Sequence, residues 1–487
     1  MLSLLWYATF LFNPAHVGHP VAYALLVIAE CIGIVNVVGI WVQLIKHPRV
    51  PELPDVDDVR GKIEKGVLNP SVAVFITVAG EPLEVVKKTM VAAKAMTGLH
   101  RTIVLDDGES AEVRAAAEAA GVEYMTRPHK DRKKAGNVNY GLSQTKSDFF
   151  AILDCDHVPR ENFLVTLLPY LVADEKLAFA QSPQFYGNTA TFVAGGSAES
   201  QEVFYRHIQP RKNASNSAFC VGTNVLFRRS AVAEIGGIYE GSNSEDIWTS
   251  LLLHEKGWKS LYVPKVLAIG DTPDTVDSYF RQQTRWATGS FEILLHRNPL
   301  FNPKLTLGQQ LQYFHTTWYY LCGFANILFY ILPLLYTYLE WKPIDVVDGN
   351  PFAWIIWFLP YYVMGIVCNA YLLGRSPAWR SFVVTMTSFT AHASAFINAA
   401  AKKDVKWSVT GVIKRKRDYV TAVSPHLLLM LLTAGAMPVL FVDRDEPLRF
   451  VFLVWMAWNV CALFAICKRA IPKYATASTS PILSPAY

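Results

Sequence analysis

Long apolar runs occupy both ends of this chain and enclose a polar region. Residues 2–12 are apolar but too short to predict a span, and polar side chains interrupt residues 380–401, as expected at a membrane interface or along a polar path. Five other runs have the length of a helix that crosses the hydrocarbon core of a bilayer: 20–45, 318–339, 353–374, 426–442 and 450–467. The pattern predicts a multi-pass membrane protein with about five spans.

Lysine and arginine predict which side of the membrane each loop faces. Cytoplasmic loops carry an excess of these residues. Basic residues follow the first, third and fifth runs and precede the fourth. Placing them all inside leaves 340–352 and 443–448 outside, both short and acidic-leaning. We therefore expect the polar region and the C-terminus to be cytoplasmic, in a plasma (inner) membrane.

An amphipathic pattern precedes the second run. Leu307, Leu311, Phe314 and Trp318 recur at helical spacing, with glutamines on the opposite face. Such a helix is typical of the membrane surface. The alternative is that residues 305–318 are simply the lead-in to the second span.

The polar region alternates strand-like and helix-like segments. Val72–Val78, Thr102–Leu105 and Phe149–Leu153 have the composition of buried strands, and Glu84–Met96 and Ala111–Ala120 that of the helices between them. This order predicts an α/β domain with a mostly parallel sheet and helices on both faces. Ligands bind such sheets beyond the carboxyl ends of the strands, so acidic motifs that follow two of these strands are candidate site residues.

These patterns divide the chain into four parts. The expected parts are an N-terminal membrane segment at 1–48, a cytoplasmic domain at 49–300, interface helices, membrane helices and a loop (402–418) within 301–470, and a disordered tail at 471–487. Hydrophobic residues make up 52% of the chain and charged residues only 17%, which fits a membrane protein. The net charge of +5 gives no reason to expect nucleic acid as a partner.

Four short motifs follow one another along the chain. They are Asp106-Asp107-Gly108, Asp154-Cys155-Asp156-His157, Ser244-Glu245-Asp246 and Gln282-Gln283-Thr284-Arg285-Trp286. In this order they resemble the catalytic motifs of membrane-integrated family-two glycosyltransferases, the group of cellulose, chitin and hyaluronan synthases. The resemblance covers about residues 70–425 and implies a domain of the glycosyltransferase A type inserted between transmembrane helices.

Asp154 and Asp156 are the candidate metal ligands. Sugar transfer from a nucleoside diphosphate leaves a diphosphate, whose charge a divalent cation held by carboxylates can neutralise. An Asp-x-Asp sequence alone can be a surface turn, but this one ends an apolar strand. The resemblance implies Mg²⁺ or Mn²⁺, with Asp156 as the main ligand, Asp154 near the sugar diphosphate and His157 as a further candidate.

Other side chains are candidate donor contacts. The resemblance implies that Asp106 and Asp107 contact the uridine and that Lys134 lies near the donor. Arg285 offers a planar guanidinium to diphosphate oxygens. The alternatives left open are a strand-closing turn for the two aspartates and a solvated basic loop for Lys134.

The end of the first predicted strand departs from the family pattern. Many relatives carry an aromatic residue there, near the nucleotide base, whereas this chain has Ala79, which cannot stack. Glu81 matches the pattern and is a further candidate donor contact. UDP is the expected nucleotide, with its base held in a different way.

Asp246 is the candidate catalytic base. An acceptor hydroxyl is a poor nucleophile, and a positioned carboxylate can take its proton as the new bond forms. Glu245 and Asp246 match the family's Thr-Glu-Asp motif, with Ser244 in place of threonine. The same residues are also typical of a helix N-terminus, and both roles can hold. Direct displacement by the hydroxyl predicts inversion at the anomeric carbon.

Acceptor contacts are expected around the last motif. Trp286 offers a flat face to a terminal sugar ring, and Gln282 can donate or accept a hydrogen bond. The segment Phe219–Thr223 resembles the family's acceptor pocket but contains an inserted-looking Val221. The candidate acceptor residues are Gln282, Trp286, Phe219, Cys220 and Glu245.

The loop at 402–418 is the last candidate. Trp407, Val409 and Thr410 resemble the gating loop that closes over the donor in cellulose synthases, although Val412 stands where the family has lysine. Loop closure excludes water and limits hydrolysis. The alternative is a chance match in a basic stretch that binds anionic lipid.

The motifs and their order predict a processive inverting glycosyltransferase. We expect it to polymerise a β-linked polysaccharide, a β-glucan from UDP-glucose, at the cytoplasmic face and to translocate the polymer through the membrane. The alternative is a non-processive enzyme that adds one sugar to a lipid carrier. The expected partners are the UDP-sugar donor, the growing polysaccharide and the bilayer. An accessory subunit or a homo-oligomer is left open.

Overall fold

The computed structural model describes residues 1–46, 50, 55–345, 353–374, 379–403, 416–442 and 448–471. The strands are β1 (Val72–Val78), β2 (Arg101–Asp106), β3 (Glu123–Met125), β4 (Phe149–Asp154), β5 (Val158–Pro159), β6 (Leu177–Gln181), β7 (Val225–Arg228), β8 (Lys259–Tyr262) and β9 (Ala268–Ile269). The helices are α1 (Leu2–Leu11), α2 (Pro20–Ile45), α3 (Val56–Glu64), α4 (Leu83–Lys94), α5 (Ala111–Ala119), α6 (Lys133–Gln144), α7 (Phe163–Ala173), α8 (Phe192–Val203), α9 (Gln209–Lys212), α10 (Arg229–Glu234), α11 (Glu245–Glu255), α12 (Val276–His296), α13 (Leu307–Trp318), α14 (Cys322–Leu339), α15 (Ala353–Leu373), α16 (Trp379–Met386), α17 (Phe389–Ala400), α18 (Lys416–Ala422), α19 (Ser424–Val442) and α20 (Leu448–Cys467).

A seven-stranded sheet forms the centre of the α/β domain, in the order β3-β2-β1-β4-β7-β6-β8. Only β7 runs antiparallel to its neighbours. Its strands are apolar throughout because both faces are covered: Val74 and Ile76 belong to one core, Ala73 and Phe75 to the other. The predicted α/β fold is confirmed, and the predicted strands and helices agree with the observed ones to within two residues at each end.

The reversed direction of β7 assembles one edge of the site. Ile152 of β4 pairs with Val225, the first residue of β7. Since the strands are antiparallel, the residues that precede Val225 lie beside the carboxyl end of β4. The segment Phe219–Asn224 is thereby brought next to Asp154, although about 70 residues separate them in the sequence.

Within the described residues, five helical segments are long and apolar enough to cross a membrane. They are Pro20–Ile45, Leu307–Leu339, Ile355–Leu372, Ser424–Phe441 and Leu448–Cys467, which confirms the five predicted spans. The short helix α1 packs against α15, where Trp6 stacks on Trp357 with ring centroids 3.9 Å apart. These helices, and the homology reported below, indicate a multi-pass membrane protein.

The amphipathic segment forms helix α13, which a short 3₁₀ turn separates from α14. Leu307 and Leu311 are 70% and 49% exposed, whereas Gln309 and Gln312 are buried. The glutamines face inward because they hydrogen-bond the α/β domain, as Gln309 Nε2 does to the carbonyl oxygen of Asn216 (2.8 Å). The leucines are left on the outer face, while their contact with a membrane surface remains a prediction.

The interrupted segment 380–401 forms two helices that pack against the α/β domain. Helix α16 packs against α8, and α17 packs against α12. From the loop at 402–418, residues 404–415 lie outside the described residues, and with them the gating candidates Trp407, Val409 and Thr410. The predicted tail from 472 onward also lies outside them.

Candidate active site

Asp246 lies in the first turn of helix α11, beside helix α12. Ser244 precedes α11, and its hydroxyl donates to the carbonyl oxygen of Arg285 on α12 (3.1 Å). Gly289 allows this close approach, since a Cβ there would collide with the Ser244 side chain. The serine hydroxyl therefore ties the two helices together, whereas the capping alternative had it satisfying the backbone of α11.

The environment of Asp246 suits a base that works near neutral pH. Desolvation by the surrounding protein raises the pKa of Asp246 to about 7, and the charge of Glu245 adds to the effect. Asp246 Oδ1 accepts a hydrogen bond from the backbone N–H of Ile247 (2.8 Å). The other oxygen, Oδ2, lies beside Gly222 and remains for an acceptor group.

Three of the candidate site residues converge at Gly222. Its φ is +83°, and a Cβ there would lie 3.3 Å from Asp246 Oδ2 and 3.7 Å from both Glu245 Oε1 and Lys134 Nζ. The left-handed backbone conformation favours glycine, and the missing side chain leaves space between the charged groups. A small pocket is lined here by Lys134, Cys220, Gly222, Glu245 and Asp246, together with apolar residues beneath them.

Lys134 connects this pocket to the end of β4. Its ammonium group donates to Asp154 Oδ1 and to the carbonyl oxygen of Gly222 (2.8 Å). Desolvation lowers the pKa of Lys134, but the charges of Asp154 and Glu245 outweigh it, so the net shift is upward and the group stays charged. This position favours a role in the site over the solvated-loop alternative.

Asp154 is held by groups from two neighbouring segments. Thr77 Oγ1 on β1 donates to Asp154 Oδ1 (3.2 Å), and the Asp154 backbone N–H donates to Thr223 Oγ1 (2.9 Å). Desolvation raises the pKa of Asp154, but Lys134 and then His157 outweigh it, so its pKa lies below the ordinary value. The carboxylate is therefore ionised, as a metal ligand must be.

Asp154, Asp156 and His157 form a compact group of potential metal ligands. Within the described residues, one ligand atom from each lies within 4.8 Å of the others. His157 Nδ1 lies 2.8 Å from Asp156 Oδ1. Burial lowers the pKa of His157, but Asp156 and Asp154 outweigh it and raise the pKa overall. Two carboxylates with an orienting imidazole fit a hard divalent cation such as Mg²⁺ or Mn²⁺.

The other predicted donor aspartates are engaged within the protein. Asp106 is fully buried and accepts hydrogen bonds from Gly108 N (2.7 Å), Ser110 N (3.0 Å) and Tyr124 Oη (2.9 Å). The guanidinium of Arg127 binds Asp107 through two hydrogen bonds, both 2.8 Å. This geometry agrees with the strand-closing alternative, and the uridine contact of both residues remains a prediction.

Arg127 is a site residue that the sequence did not single out. Besides Asp107 it binds the carbonyl oxygens of Asp131 (2.5 Å) and Lys133 (2.8 Å). It thereby holds the loop before Lys134, where Arg132 and Lys133 both have left-handed backbones (φ +63° and +49°). Such conformations are unfavourable for residues with side chains and persist only where the surroundings impose them.

The predicted acceptor segment is held from both sides by glutamines. The Val221 backbone N–H donates to Gln181 Oε1 (3.0 Å), and its carbonyl oxygen accepts from Gln184 Nε2 (3.0 Å). Phe219 and Cys220, which precede Val221, are both buried, and Cys220 lines the pocket. The extra-looking Val221 is therefore anchored by hydrogen bonds on both sides of its backbone.

Helix α12 carries the remaining candidates Gln282, Arg285 and Trp286. The positive charge of Arg285 lowers the pKa of Asp154, Lys134 and Asp246, so its guanidinium lies near these three side chains. Gln282 Oε1 is buried and has no hydrogen-bond partner among the described residues. Trp286 is partly buried. Glu81 lies near Asp154 and Asp156; its Oε2 accepts from Ala79 N (2.7 Å), and desolvation, with the charges of those aspartates, raises its pKa.

Comparison with known proteins agrees with this arrangement. Residues 149–373 match the family model described as glycosyl transferase family group 2. The UDP-forming catalytic subunit of cellulose synthase 1 from Komagataeibacter xylinus is 27% identical over 415 residues, which are 82% of this chain and 55% of that protein. The UDP-forming catalytic subunit from Xanthomonas axonopodis pv. citri is 33% identical over 267 residues, 53% of this chain and 37% of that protein.

A solved structure shares the fold at low sequence identity. The mannosyltransferase from Pyrobaculum calidifontis, solved with GDP-Man and Mn²⁺, superposes with a TM-score of 0.55 at 12% identity and covers 79% of this chain and 100% of its own. The chain spans about half the length of the first cellulose synthase subunit and about a third of the second. Residues 149–373 therefore match the family-two glycosyltransferase model, the domain has a glycosyltransferase A-type fold, and the chain is similar in sequence to UDP-forming cellulose synthase catalytic subunits.

Proposed function

We propose that this protein is a processive inverting glycosyltransferase that polymerises a β-glucan from UDP-glucose. Synthesis takes place at the cytoplasmic face of the plasma (inner) membrane, and the polymer is translocated through the membrane helices. One observation carries the proposal: the carboxylate of Asp246, whose pKa is raised to about 7, and the ammonium group of Lys134 both lie beside Gly222. A base and a cation beside one small space can serve the nucleophile and the leaving group of a displacement.

The base is proposed to act through one specific oxygen. Asp246 Oδ1 accepts from the Ile247 backbone, so Oδ2 takes the proton of the acceptor hydroxyl. A pKa near the working pH gives a large fraction of ionised base that can still bind a proton in the transition state. Attack by the hydroxyl on the face opposite the leaving diphosphate inverts the anomeric carbon.

The leaving diphosphate is proposed to bind near the end of β4. Lys134 and Arg285 supply positive charge there, which stabilises negative charge as it develops. Asp154 and Asp156 would hold the divalent cation, with His157 orienting Asp156. When bound, the cation neutralises diphosphate oxygens and so lowers the barrier to departure. Glu81, Asp106 and Asp107 remain the proposed contacts around the nucleotide.

The acceptor is proposed to approach from the membrane side. Gln282 and Trp286 lie on α12, whose packing partner α17 and whose successors α13 and α14 lead into the membrane helices. The unpartnered Gln282 Oε1 suits a sugar hydroxyl, and Trp286 suits the face of a ring. The homology to UDP-forming cellulose synthase subunits supports a UDP-sugar and a glucan. Basic loops support the cytoplasmic orientation.

The test is sugar incorporation by the purified full chain in detergent or vesicles with Mg²⁺ or Mn²⁺. Radiolabelled UDP-glucose, UDP-N-acetylglucosamine, UDP-glucuronic acid and GDP-mannose are offered separately. Asp246→Asn removes the base, and Asp57→Asn, at a side chain 90% exposed on α3, is the matched control. We expect incorporation from UDP-glucose in the wild type and in Asp57→Asn but none in Asp246→Asn.

Two results contradict the proposal. Full activity in Asp246→Asn would remove the proposed base. A single labelled lipid as the only product would establish the non-processive alternative. Incorporation from another donor, with the same dependence on Asp246, would correct the sugar while leaving the mechanism in place.

A further inference from the structure

An ion pair joins the catalytic domain to a helix that follows the third membrane span. Arg380, in the first turn of α16, donates from Nε (2.8 Å) and Nη2 (2.6 Å) to Glu199 Oε1 on α8. Its third nitrogen donates to the carbonyl oxygen of Thr189 (3.3 Å). Only 5% of the Glu199 side chain is exposed. A buried carboxylate requires such partners, so the two helices are bound at a defined position.

Two consecutive glycines allow this contact. A Cβ on Gly195 would collide with the guanidinium of Arg380, and one on Gly196 would lie 2.7 Å from the Arg380 carbonyl oxygen. Both glycines lie in the interior of α8, where each costs helix stability of up to about 1 kcal/mol relative to alanine. The close packing of α16 on α8 accounts for their presence there.

The opposite face of α8 hydrogen-bonds two residues that lie near His157. Gln201 Oε1 lies 2.8 Å from the hydroxyl of Tyr186, and the ring of Tyr186 meets His157 edge-on at 6.4 Å. Ser197 Oγ accepts from Thr272 Oγ1 (2.8 Å). Thr272 lies two residues after Gly270, whose backbone lies against the His157 ring. Helix α8 is thus held between α16 on one side and the supports of His157 on the other.

We propose that Arg380 is a positioning residue for the divalent cation. Through Glu199 it fixes α8. Helix α8 in turn fixes Tyr186, which contacts His157, and Thr272, which anchors the segment of Gly270 against His157. His157 orients Asp156. The affinity of the site for Mn²⁺ therefore depends on the docking of α16 against the catalytic domain. This inference rests on the proposed function, because it assigns the cation to Asp154 and Asp156.

The test measures Mn²⁺ binding to the full chain in detergent and in the presence of UDP. Binding is detected as the loss of the electron paramagnetic resonance signal of free Mn²⁺. The variants are Arg380→Met, Arg380→Lys and the isosteric Glu199→Gln. Arg206→Met is the matched control, since Arg206 pairs with Glu202 near the end of the same helix but is 51% exposed. Half-saturating Mn²⁺ in turnover is measured in parallel, and size-exclusion profiles confirm that each variant is folded.

Loss of a direct partner of a metal ligand typically weakens metal binding about 10- to 100-fold. Arg380 acts from further away, so we expect Arg380→Met and Glu199→Gln to raise the Kd for Mn²⁺ about fivefold, by analogy with that range. The Kd of Arg380→Lys for Mn²⁺ should lie between those of these variants and of the wild type, and the Kd of Arg206→Met should equal that of the wild type. If Arg380→Met does not fold, Glu199→Gln decides, because it keeps the size of the side chain.

Unchanged Mn²⁺ affinity in Glu199→Gln or Arg380→Met would overturn the inference, even if turnover fell. Asp156→Asn separates this failure from that of the proposed function. If Asp156→Asn abolishes Mn²⁺ binding while Arg380→Met binds normally, the assignment of the cation stands and only the coupling fails. If Asp156→Asn binds Mn²⁺ as the wild type does, the cation site itself is wrong and both proposals fall.

Discussion

Turnover should fall on the acidic side of neutrality because the proposed base is protonated there. Desolvation and Glu245 raise the pKa of Asp246 from 3.8 to about 7. A base with a raised pKa loses its active, ionised form as the pH falls through that value. We therefore expect kcat to reach a plateau above about pH 8 and to fall about tenfold for each pH unit below about 6, as for any essential base.

Glu245→Gln tests the electrostatic cause of this profile. Asp246 Oδ2 and Glu245 Oε1 lie 3.3 and 3.7 Å from the Cβ position of Gly222, so they are at most about 7 Å apart. Two unit charges at that separation repel by about 2 kcal/mol at an effective dielectric constant of about 20. Glu245 is partly exposed, and solvent screening reduces the repulsion. We expect the acidic limb of the profile, which is the fall of kcat at low pH, to lie about one pH unit lower in Glu245→Gln. This shift is equivalent to about 1.4 kcal/mol.

The assay is the initial rate of sugar transfer between pH 5.5 and 9 at saturating donor and cation. Glu112→Gln, an exposed substitution on α5, is the control for loss of one surface carboxylate. A flat profile in the wild type would contradict the assignment of Asp246 as the base. An acidic limb that stays in place in Glu245→Gln, or moves to higher pH, would contradict the proposed repulsion.

Three further substitutions probe the same site. Gly222→Ala places a Cβ 3.3 Å from Asp246 Oδ2 at a left-handed φ. We expect the free energy of unfolding to fall by about 1–2 kcal/mol, measured by thermal unfolding, and kcat to fall markedly. An unchanged kcat would contradict the convergence of the site residues at Gly222. Lys134→Met removes the cation beside Asp154 and should lower kcat/KM for the donor about 100-fold, as loss of a transition-state stabiliser does. Trp286→Ala should raise the KM for added oligosaccharide acceptor more than that for the donor, whereas the reverse order in steady-state kinetics would place Trp286 on the donor side.

Much of the fold could be predicted because its signals are local. The apolar strands β1, β2 and β4 are continuous runs since both faces of the sheet are covered. The spans were predictable from length and composition alone. In contrast, the antiparallel β7 is too short to be recognised from its four residues, and it is the strand that brings Thr223 and Gly222 to Asp154.

The site was predictable in its acidic residues but not in their supports. Motif order pointed to Asp154, Asp156 and Asp246, which the structure brings to one edge of the sheet. Arg127 and the Arg380–Glu199 pair carry no local pattern, because their partners are distant in sequence. Basic residues beside membrane spans indicate topology, and from the sequence Arg380 is simply one of those that follow the third span. Its specific partner emerges only when α8 and α16 pack.

The central claim is processive polymerisation at the Asp246 site, and the size of the early product tests it most directly. Purified protein is given radiolabelled UDP-glucose in large excess over enzyme, and products are sized at low conversion. Our account predicts that the products are already long chains at a time when each enzyme molecule has completed few of them. It also predicts no product from Asp246→Asn. Products that stop at one added sugar, or chains of equal length in Asp246→Asn, would contradict it.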